Sequence, residues 1–181
     1  MNYCSQCGAK VSLRIPEGDN LPRHVCDSCG TIHYSNPNIV AGCIAVWDDK
    51  VLLARRGIQP RLGLWTIPAG FMENHETIAQ AAARETREEA CAEVINQELY
   101  AVHNIPHISQ VYIIYRGDLG SEDFAPGEES LETGLFAEDE IPWDEMAFPV
   151  VVRTLKRFFD DRRTGVFHPF EDTIQPLKKR D

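Results

Sequence analysis

The 181-residue chain is 43% apolar and carries a formal net charge of −10. That length suits one main domain with a small module, and the apolar content is enough for a core. The acid excess argues against broad nucleic-acid binding, which needs basic surface to displace counterions; the one basic run, Lys178-Lys179-Arg180, reads as a solvated terminus. No apolar run is long enough to span a membrane, and the first residues lack a basic region followed by an apolar one. The expected setting is therefore cytoplasmic, with neither membrane nor nucleic acid as partner.

Residues 1–36 stand apart. Cys4-Ser-Gln-Cys7 and Cys26-Asp-Ser-Cys29 are paired Cys-x-x-Cys knuckles, each followed by a glycine, Gly8 or Gly30. Without an export signal, cysteines read as metal ligands or buried thiols before disulfides. Cys4, Cys7, Cys26 and Cys29 match tetrahedral Zn²⁺ coordination, with two disulfides or a redox pair as the rival reading. The segment resembles a zinc ribbon. Lys10, Arg14 and Arg23 are balanced by Glu17, Asp19 and Asp27, which favours structural support, or a wall of a substrate site or dimer interface, over nucleic-acid contact.

After the turn-rich link Tyr34–Asn38, Ile39 to Trp47 is a continuous apolar run and predicts a buried strand, with Cys43 as a small core residue. Asp48-Asp49-Lys50 makes a turn, and Val51 to Arg55 completes a hairpin. Arg55 and Arg56 are either surface charges or phosphate contacts. Residues 57–69 form a loop that closes on Leu64-Trp-Thr-Ile-Pro-Ala69, where Trp65 reads as core.

Gly70 to Ala92 carries the chemistry. A glycine loop enters an alanine-rich helix bearing Arg84, Glu85, Glu88 and Glu89. At about 100° per residue, the three glutamates fall within a sector of roughly 100°. Carboxylates so close repel one another and invite a cation, and all-oxygen ligands suit Mg²⁺ or Mn²⁺. Ile78, Ala79, Ala82, Thr86, Ala90 and Val94 occupy the neighbouring sector, so the helix is expected to have one packing face and one acidic face. A solvated amphipathic helix would also carry such acids. Against that stand the Gly70 loop, Glu76 within reach of Arg84, and the Arg-Glu-x-x-Glu-Glu core.

The remainder is expected to add strands at Glu93 to Val102 and Ser109 to Arg116, with His103 and His107 flanking their loop. From Gly117 to Val152 there is no Lys or Arg. Residues 147–163 predict a helix, in which Val150, Val151, Leu155, Phe158 and Phe159 repeat near helical period. Residues 166–181 read as a polar, mobile tail.

The stretch from Gly70 resembles the Nudix box, G-x5-E-x7-R-E-U-x-E-E-x-G-U. Gly70, Glu76, Arg84, Glu85, Glu88 and Glu89 match in register. Thr86 and Ala92 stand where larger aliphatics are usual, and Cys91 replaces the late glycine, which puts the local turn in question more than the chemistry. The resemblance implies an α/β/α sandwich over residues 37–165, carrying the small ribbon at its N-terminal side. It implies Mg²⁺-dependent hydrolysis of a nucleoside diphosphate linked to a second group, a small molecule such as a dinucleotide. Glu85, Glu88 and Glu89, with the Ala69 carbonyl, would hold the catalytic ion. Arg84 would fix the helix by pairing with Glu76. Glu129 or Glu132, in the acidic loop before the Leu135-Phe136 strand, would supply a further ligand or the catalytic base. Arg56 would contact phosphate. Phe71 and Tyr112, beside Phe136 and Tyr3, are candidates for stacking on adenine.

Within the family, the NADH-cleaving group carries Ser-Gln-Pro-Trp-Pro-Phe-Pro after the box, and this chain reads His103-Asn-Ile-Pro-His-Ile-Ser-Gln110 instead. Ile15-Pro-Glu-Gly-Asp19, Pro68-Ala-Gly-Phe71 and Phe124-Ala-Pro-Gly-Glu128-Glu-Ser-Leu-Glu132 resemble the FAD and ADP-ribose pyrophosphatases of plant chloroplasts and bacteria. That implies cleavage of FAD to AMP and FMN, or of ADP-ribose to AMP and ribose 5-phosphate. NADH hydrolysis and a non-catalytic nucleotide sensor are the alternatives, the sensor disfavoured because every acid of the box is present. Related enzymes dimerise, and Val150 to Phe159 or the ribbon are candidate interfaces.

Overall fold

A computed structural model describes residues 1–176. The basic run Lys178-Lys179-Arg180 lies outside the described residues. The chain divides into two compact units, Met1–Pro37 and Asn38–Asp181. The first is a three-stranded antiparallel sheet of β1 (Val11–Arg14), β2 (Arg23–Cys26) and β3 (Ile32–His33), in that order.

The second unit is built on a mixed sheet. Its strands are β4 (Asn38–Trp47), β5 (Lys50–Arg56), β6 (Trp65–Thr66), β7 (Ala69–Phe71), β8 (Val94–Ile105), β9 (Gln110–Leu119), β10 (Ser130–Phe136) and β11 (Phe170–Thr173). The order is β10-β5-β4-β9-β8-β11, with β6 added to β5 and β7 to β4. The β4–β9 and β8–β11 pairs are parallel. Two helices, α1 (Ile78–Ala90) and α2 (Pro149–Thr164), cover the two faces.

Strand alternation explains the sandwich. On β4, Val40 and Ile44 join Val51, Leu53, Tyr100 and Ile114 beneath α2. The intervening Ala41 and Cys43 meet Ala81 and Ala82 of α1, and Ala45 meets Ala90. The α1 side is thus lined by small side chains, which let helix and sheet approach closely. The α2 side is filled by Val150, Val151, Leu155, Phe158 and Phe159. Those residues are spent on the chain's own core, so Val150–Phe159 as a candidate dimer interface is corrected: its apolar side chains pack into the domain.

A second correction concerns the C-terminal segment. Far from being a loose polar tail, Phe170–Thr173 pairs in parallel with Ala101–Asn104 of β8. Phe170 meets the ring of Tyr100 edge-on at 5.3 Å and Arg157 lies over it at 5.0 Å. Phe167 and Ile174 join the same core, and Arg153 pairs with Asp172 at 2.9 Å. Residues 166–176 therefore belong to the domain. Because Phe170 is half-buried, Phe170→Ala should cost about 2 kcal/mol of unfolding free energy in urea. A change below about 0.5 kcal/mol, ordinary for a surface site, would show that β11 contributes no packing.

Candidate active site

Helix α1 begins on a capping box. Thr77 accepts from the Gln80 N–H at 3.2 Å, and the Thr77 N–H donates to Gln80 Oε1 at 2.8 Å. It ends at Cys91, which takes the left-handed conformation (φ 48°) and donates its N–H to Arg87 O at 2.9 Å. That is the conformation usually given to glycine at this position, so the Cys91 departure leaves the turn intact. Thr86, where a larger aliphatic is usual, is fully buried and returns its hydroxyl to Ala82 O at 2.8 Å, so no polar group is stranded.

Arg84 organises the acids. Its Nε donates to Glu76 Oε2 at 3.1 Å and its Nη2 to Glu76 Oε1 at 2.8 Å, a bidentate pair. Nη1 reaches Glu85 at 2.7 Å and Glu88 at 2.9 Å, and Nη2 also reaches Phe71 O at 3.0 Å. Glu76 is fixed in turn by the Glu73 N–H at 2.6 Å.

The expectation of a separate acidic face needs correction. Glu85 and Glu89 are each only 8% exposed, on the side of α1 that also buries Ala81, Ala82 and Thr86. Glu88 remains exposed. Burial raises both pKa values, that of Glu89 to about 7, because desolvation disfavours the charged form. For Glu89 the Ala69 N–H, donating to Oε2 at 3.1 Å, offsets part of this. β7 runs directly against the pair: a Cβ on Gly70 would stand 2.3 Å from Glu85 Oε2, so a side chain there would displace this carboxylate. Two buried carboxylates beside an exposed third are an oxygen donor set short of positive charge, which fits a hard divalent cation.

The other expected residues divide. Arg56 lies close enough to lower the pKa of Glu89, with its Nε on Pro60 O at 2.8 Å. Glu129 adds repulsion at both Glu85 and Glu89. Glu132 sits on β10 opposite Arg55, 3.6 Å from its Nη1. Phe71 is 53% exposed and able to offer a ring face. Tyr112 is 9% exposed and packed in the α2-side core, which leaves little of its ring to stack on a base. Phe136 meets Trp65 edge-on at 5.0 Å. His103 is no loop residue. It is fully buried in β8, with Nε2 2.8 Å from Thr154 Oγ1. Thr154 donates its own proton to Val150 O, so His103 Nε2 is the donor. Burial lowers its pKa, which makes it a neutral core histidine.

In the N-terminal unit, the sulfurs of Cys4, Cys7, Cys26 and Cys29 lie within 4.8 Å of one another. Cys4 and Cys29 are 3.7 Å apart, Cys7 and Cys29 3.5 Å, Cys7 and Cys26 3.4 Å. A tetrahedron with Zn–S of about 2.3 Å needs sulfurs about 3.8 Å apart, so the cluster fits zinc. Gly8 and Gly30 share φ 73° and donate their N–H groups to Cys4 O and Cys26 O. The Thr31 hydroxyl, 3.1 Å away, and its backbone hold the Cys29 thiol down at about 6, favouring the thiolate a metal requires.

Comparison with known proteins agrees with this geometry. The family model described as NUDIX domain matches residues 36–158, and the zinc-ribbon model described as Nudix N-terminal matches residues 2–35. The chain belongs to the Nudix family. The crystal structure of a NUDIX hydrolase from Nitrosomonas europaea is 55% identical, with a TM-score of 0.94 over 97% of this chain and 100% of that one. Curated relatives include proteins named NAD-capped RNA hydrolase NudC. The one from Vibrio vulnificus is 29% identical over 78% of this chain and 53% of its own length. That from Pseudomonas aeruginosa is 28% identical over 92% and 58%. The chain thus spans little more than half the length of these relatives. Among the described residues no helix is long and apolar enough to cross a membrane.

The raised pKa of Glu89 has a signed consequence. The folded state holds this proton more tightly than the unfolded chain, so the stabilising contribution is present at low pH and is lost as pH rises toward about 7. In magnesium-free buffer, Glu89→Gln should therefore gain on wild type in thermal stability between pH 5 and pH 8. Parallel pH curves for the two proteins would contradict a buried, unpaired charge at Glu89.

Proposed function

We propose that this chain is a Mg²⁺-dependent (or Mn²⁺-dependent) Nudix pyrophosphatase that cleaves a nucleoside diphosphate joined to a second group. The observation that carries the reading is the cluster of Glu85, Glu88 and Glu89 on α1, in which Arg84 ties Glu85 and Glu88, the Ala69 N–H meets Glu89, and Glu85 and Glu89 are buried. These carboxylates, with the Ala69 carbonyl, would hold the ion. When bound, it neutralises phosphate oxygens and lowers the pKa of an attacking water. Glu129 orients or deprotonates that water. It is preferred to Glu132 because its charge is felt by Glu85 and Glu89, whereas Glu132 is directed to Arg55. Arg56 contacts phosphate, Phe71 offers its exposed ring to the base, and Arg84 keeps the helix and the Phe71–Glu76 loop in register. The ribbon cysteines hold structural Zn²⁺ and take no part in the chemistry.

For substrate we favour FAD, giving AMP and FMN, or ADP-ribose, giving AMP and ribose 5-phosphate, on the resemblance carried by Ile15–Asp19, Pro68–Phe71 and Phe124–Glu132. The NudC names of the curated relatives support a second reading, an NADH or NAD-type pyrophosphatase. Those names also keep RNA ends open as substrates, so the exclusion of nucleic acid is narrowed to broad, charge-driven binding. Each reading ends in the same bond cleavage and liberates an adenylate half.

Incubation with FAD, ADP-ribose or NADH plus Mg²⁺, followed by chromatography of AMP, should show turnover of at least one. Glu89→Gln should be no faster than buffer, and Glu129→Gln slower than wild type by about 10²- to 10⁴-fold, the range for a lost general base. No AMP from any of the three, or equal rates for wild type and Glu89→Gln, would sink the proposal.

A further inference from the structure

The last carbonyls of a helix have no partner inside it. In α1 they are met by a segment far along the chain. Ala125 donates its N–H to Ala90 O at 3.0 Å, and Gly127 donates to Glu89 O at 3.0 Å. Gly127 lies so close to the helix that a Cβ there would stand 1.7 Å from Glu88 O and 2.8 Å from its carbonyl carbon. The obstacle is helix backbone, which cannot swing aside as a side chain would. Gly127 is not among the residues with positive φ, so closeness alone excludes any other residue.

Two residues on, the chain is gripped again. The Ser130 N–H closes a turn onto Gly127 O at 3.1 Å, and Glu129 O accepts the Gly57 N–H at 2.7 Å, just beyond β5. The backbone of Glu129 is thus held between the C-terminus of α1 and the end of β5. Its side chain is exposed, so where its carboxylate stands depends on that backbone. Gly127, two residues before Glu129, rests on the helix at Glu88 and Glu89, so the strap ties the backbone of Glu129 to the turn that carries these acids.

We propose that Gly127 is a positioning residue, which sets the distance between Glu129 and the carboxylates of α1 by letting the Ala125–Gly127 strap lie directly on the helix end. The proposal rests on the hydrolase reading, with Glu129 as the group that handles the attacking water. A side chain at Gly127 lifts the strap and withdraws Glu129, leaving Glu85, Glu88 and Glu89 in place on their helix. The loss should then fall on the chemical step and not on substrate binding.

A double-mutant cycle tests this on the full chain, using whichever of FAD, ADP-ribose or NADH wild type hydrolyses. Gly127→Ala should lower kcat at least ~10-fold with KM within ~3-fold, since small misplacements of a reacting group are costly. In a Glu129→Gln background the same change should cost less than ~2-fold, because the group it displaces is already gone. A kcat within ~2-fold of wild type would overturn the proposal. So would a loss repeated in full in the Glu129→Gln background, which would place the effect in the helix itself. If Gly127→Ala fails to fold by circular dichroism, Ala125→Pro, which removes the N–H bound to Ala90 O, replaces it in the cycle with the same two readings. Wild type that releases no AMP would remove the hydrolase reading and this inference with it; an active wild type with independent losses would remove the inference alone.

Discussion

The site depends on one guanidinium. Arginine has five N–H donors in a rigid planar fork, and Arg84 uses them on five acceptors: two oxygens of Glu76, one each of Glu85 and Glu88, and Phe71 O. Three of the four groups it touches are anionic, and such charge-assisted bonds are stronger than neutral ones. Arg84 therefore joins the loop that follows β7 to the helix that follows the loop. It also supplies the positive charge without which Glu85 and Glu88 would repel on adjacent turns. Lysine could not replace it, since one ammonium lacks the planar fork that spans both Glu76 oxygens.

Glu89 is left outside that network. It is buried, it receives the Ala69 N–H, and its proton is held up to about 7. The three carboxylates therefore differ: Glu88 is exposed and paired, Glu85 buried and paired, Glu89 buried with no cation bonded to it. This grading follows from packing. Ala81, Ala82 and Ala90 on α1 rest against Ala41, Cys43 and Ala45 of β4, and small side chains on both sides bring the helix down onto the sheet. β7, itself paired to β4, then passes so close that a side chain at Gly70 would push the Glu85 carboxylate out of place. The helix is near enough to the sheet to bury its acids, and clustered carboxylate oxygens are donors that suit a hard divalent cation.

Local signals were legible in the sequence. The box register, the Glu76–Arg84 pair and each Cys-x-x-Cys knuckle involve residues close in the chain, where spacing determines geometry. The sheet strands β4, β5 and β9 were legible because long β-branched or apolar runs have one reading. What escaped depends on partners distant in the chain. β11 is four residues, Phe170-Glu-Asp-Thr173, and its strand character comes from pairing with Ala101–Asn104; the apolar Phe167, Phe170 and Ile174 were the available hint. His103 is a core residue because Thr154 of α2 lies over it. The proposed preference for Glu129 over Glu132 rests on contacts between distant segments, with Glu129 carried by a strap bonded to the end of α1 and Glu132 directed to Arg55. Helical periodicity marked Val150–Phe159 as one apolar face without saying whether sheet or partner covers it.

Mn²⁺ binding distinguishes a divalent-cation site at Glu85, Glu88 and Glu89 from a merely structural cluster of acids. Glu89→Gln is the informative variant, because Glu89 is not an acceptor for Arg84 and its replacement leaves all five Arg84 hydrogen bonds in place. Titrating zinc-loaded protein with Mn²⁺ at pH 8 and following free ion by electron paramagnetic resonance should show saturable binding to wild type that is strongly weakened in Glu89→Gln. Equal Mn²⁺ binding by the two proteins, or none by wild type, would show that these carboxylates are not the ion's site.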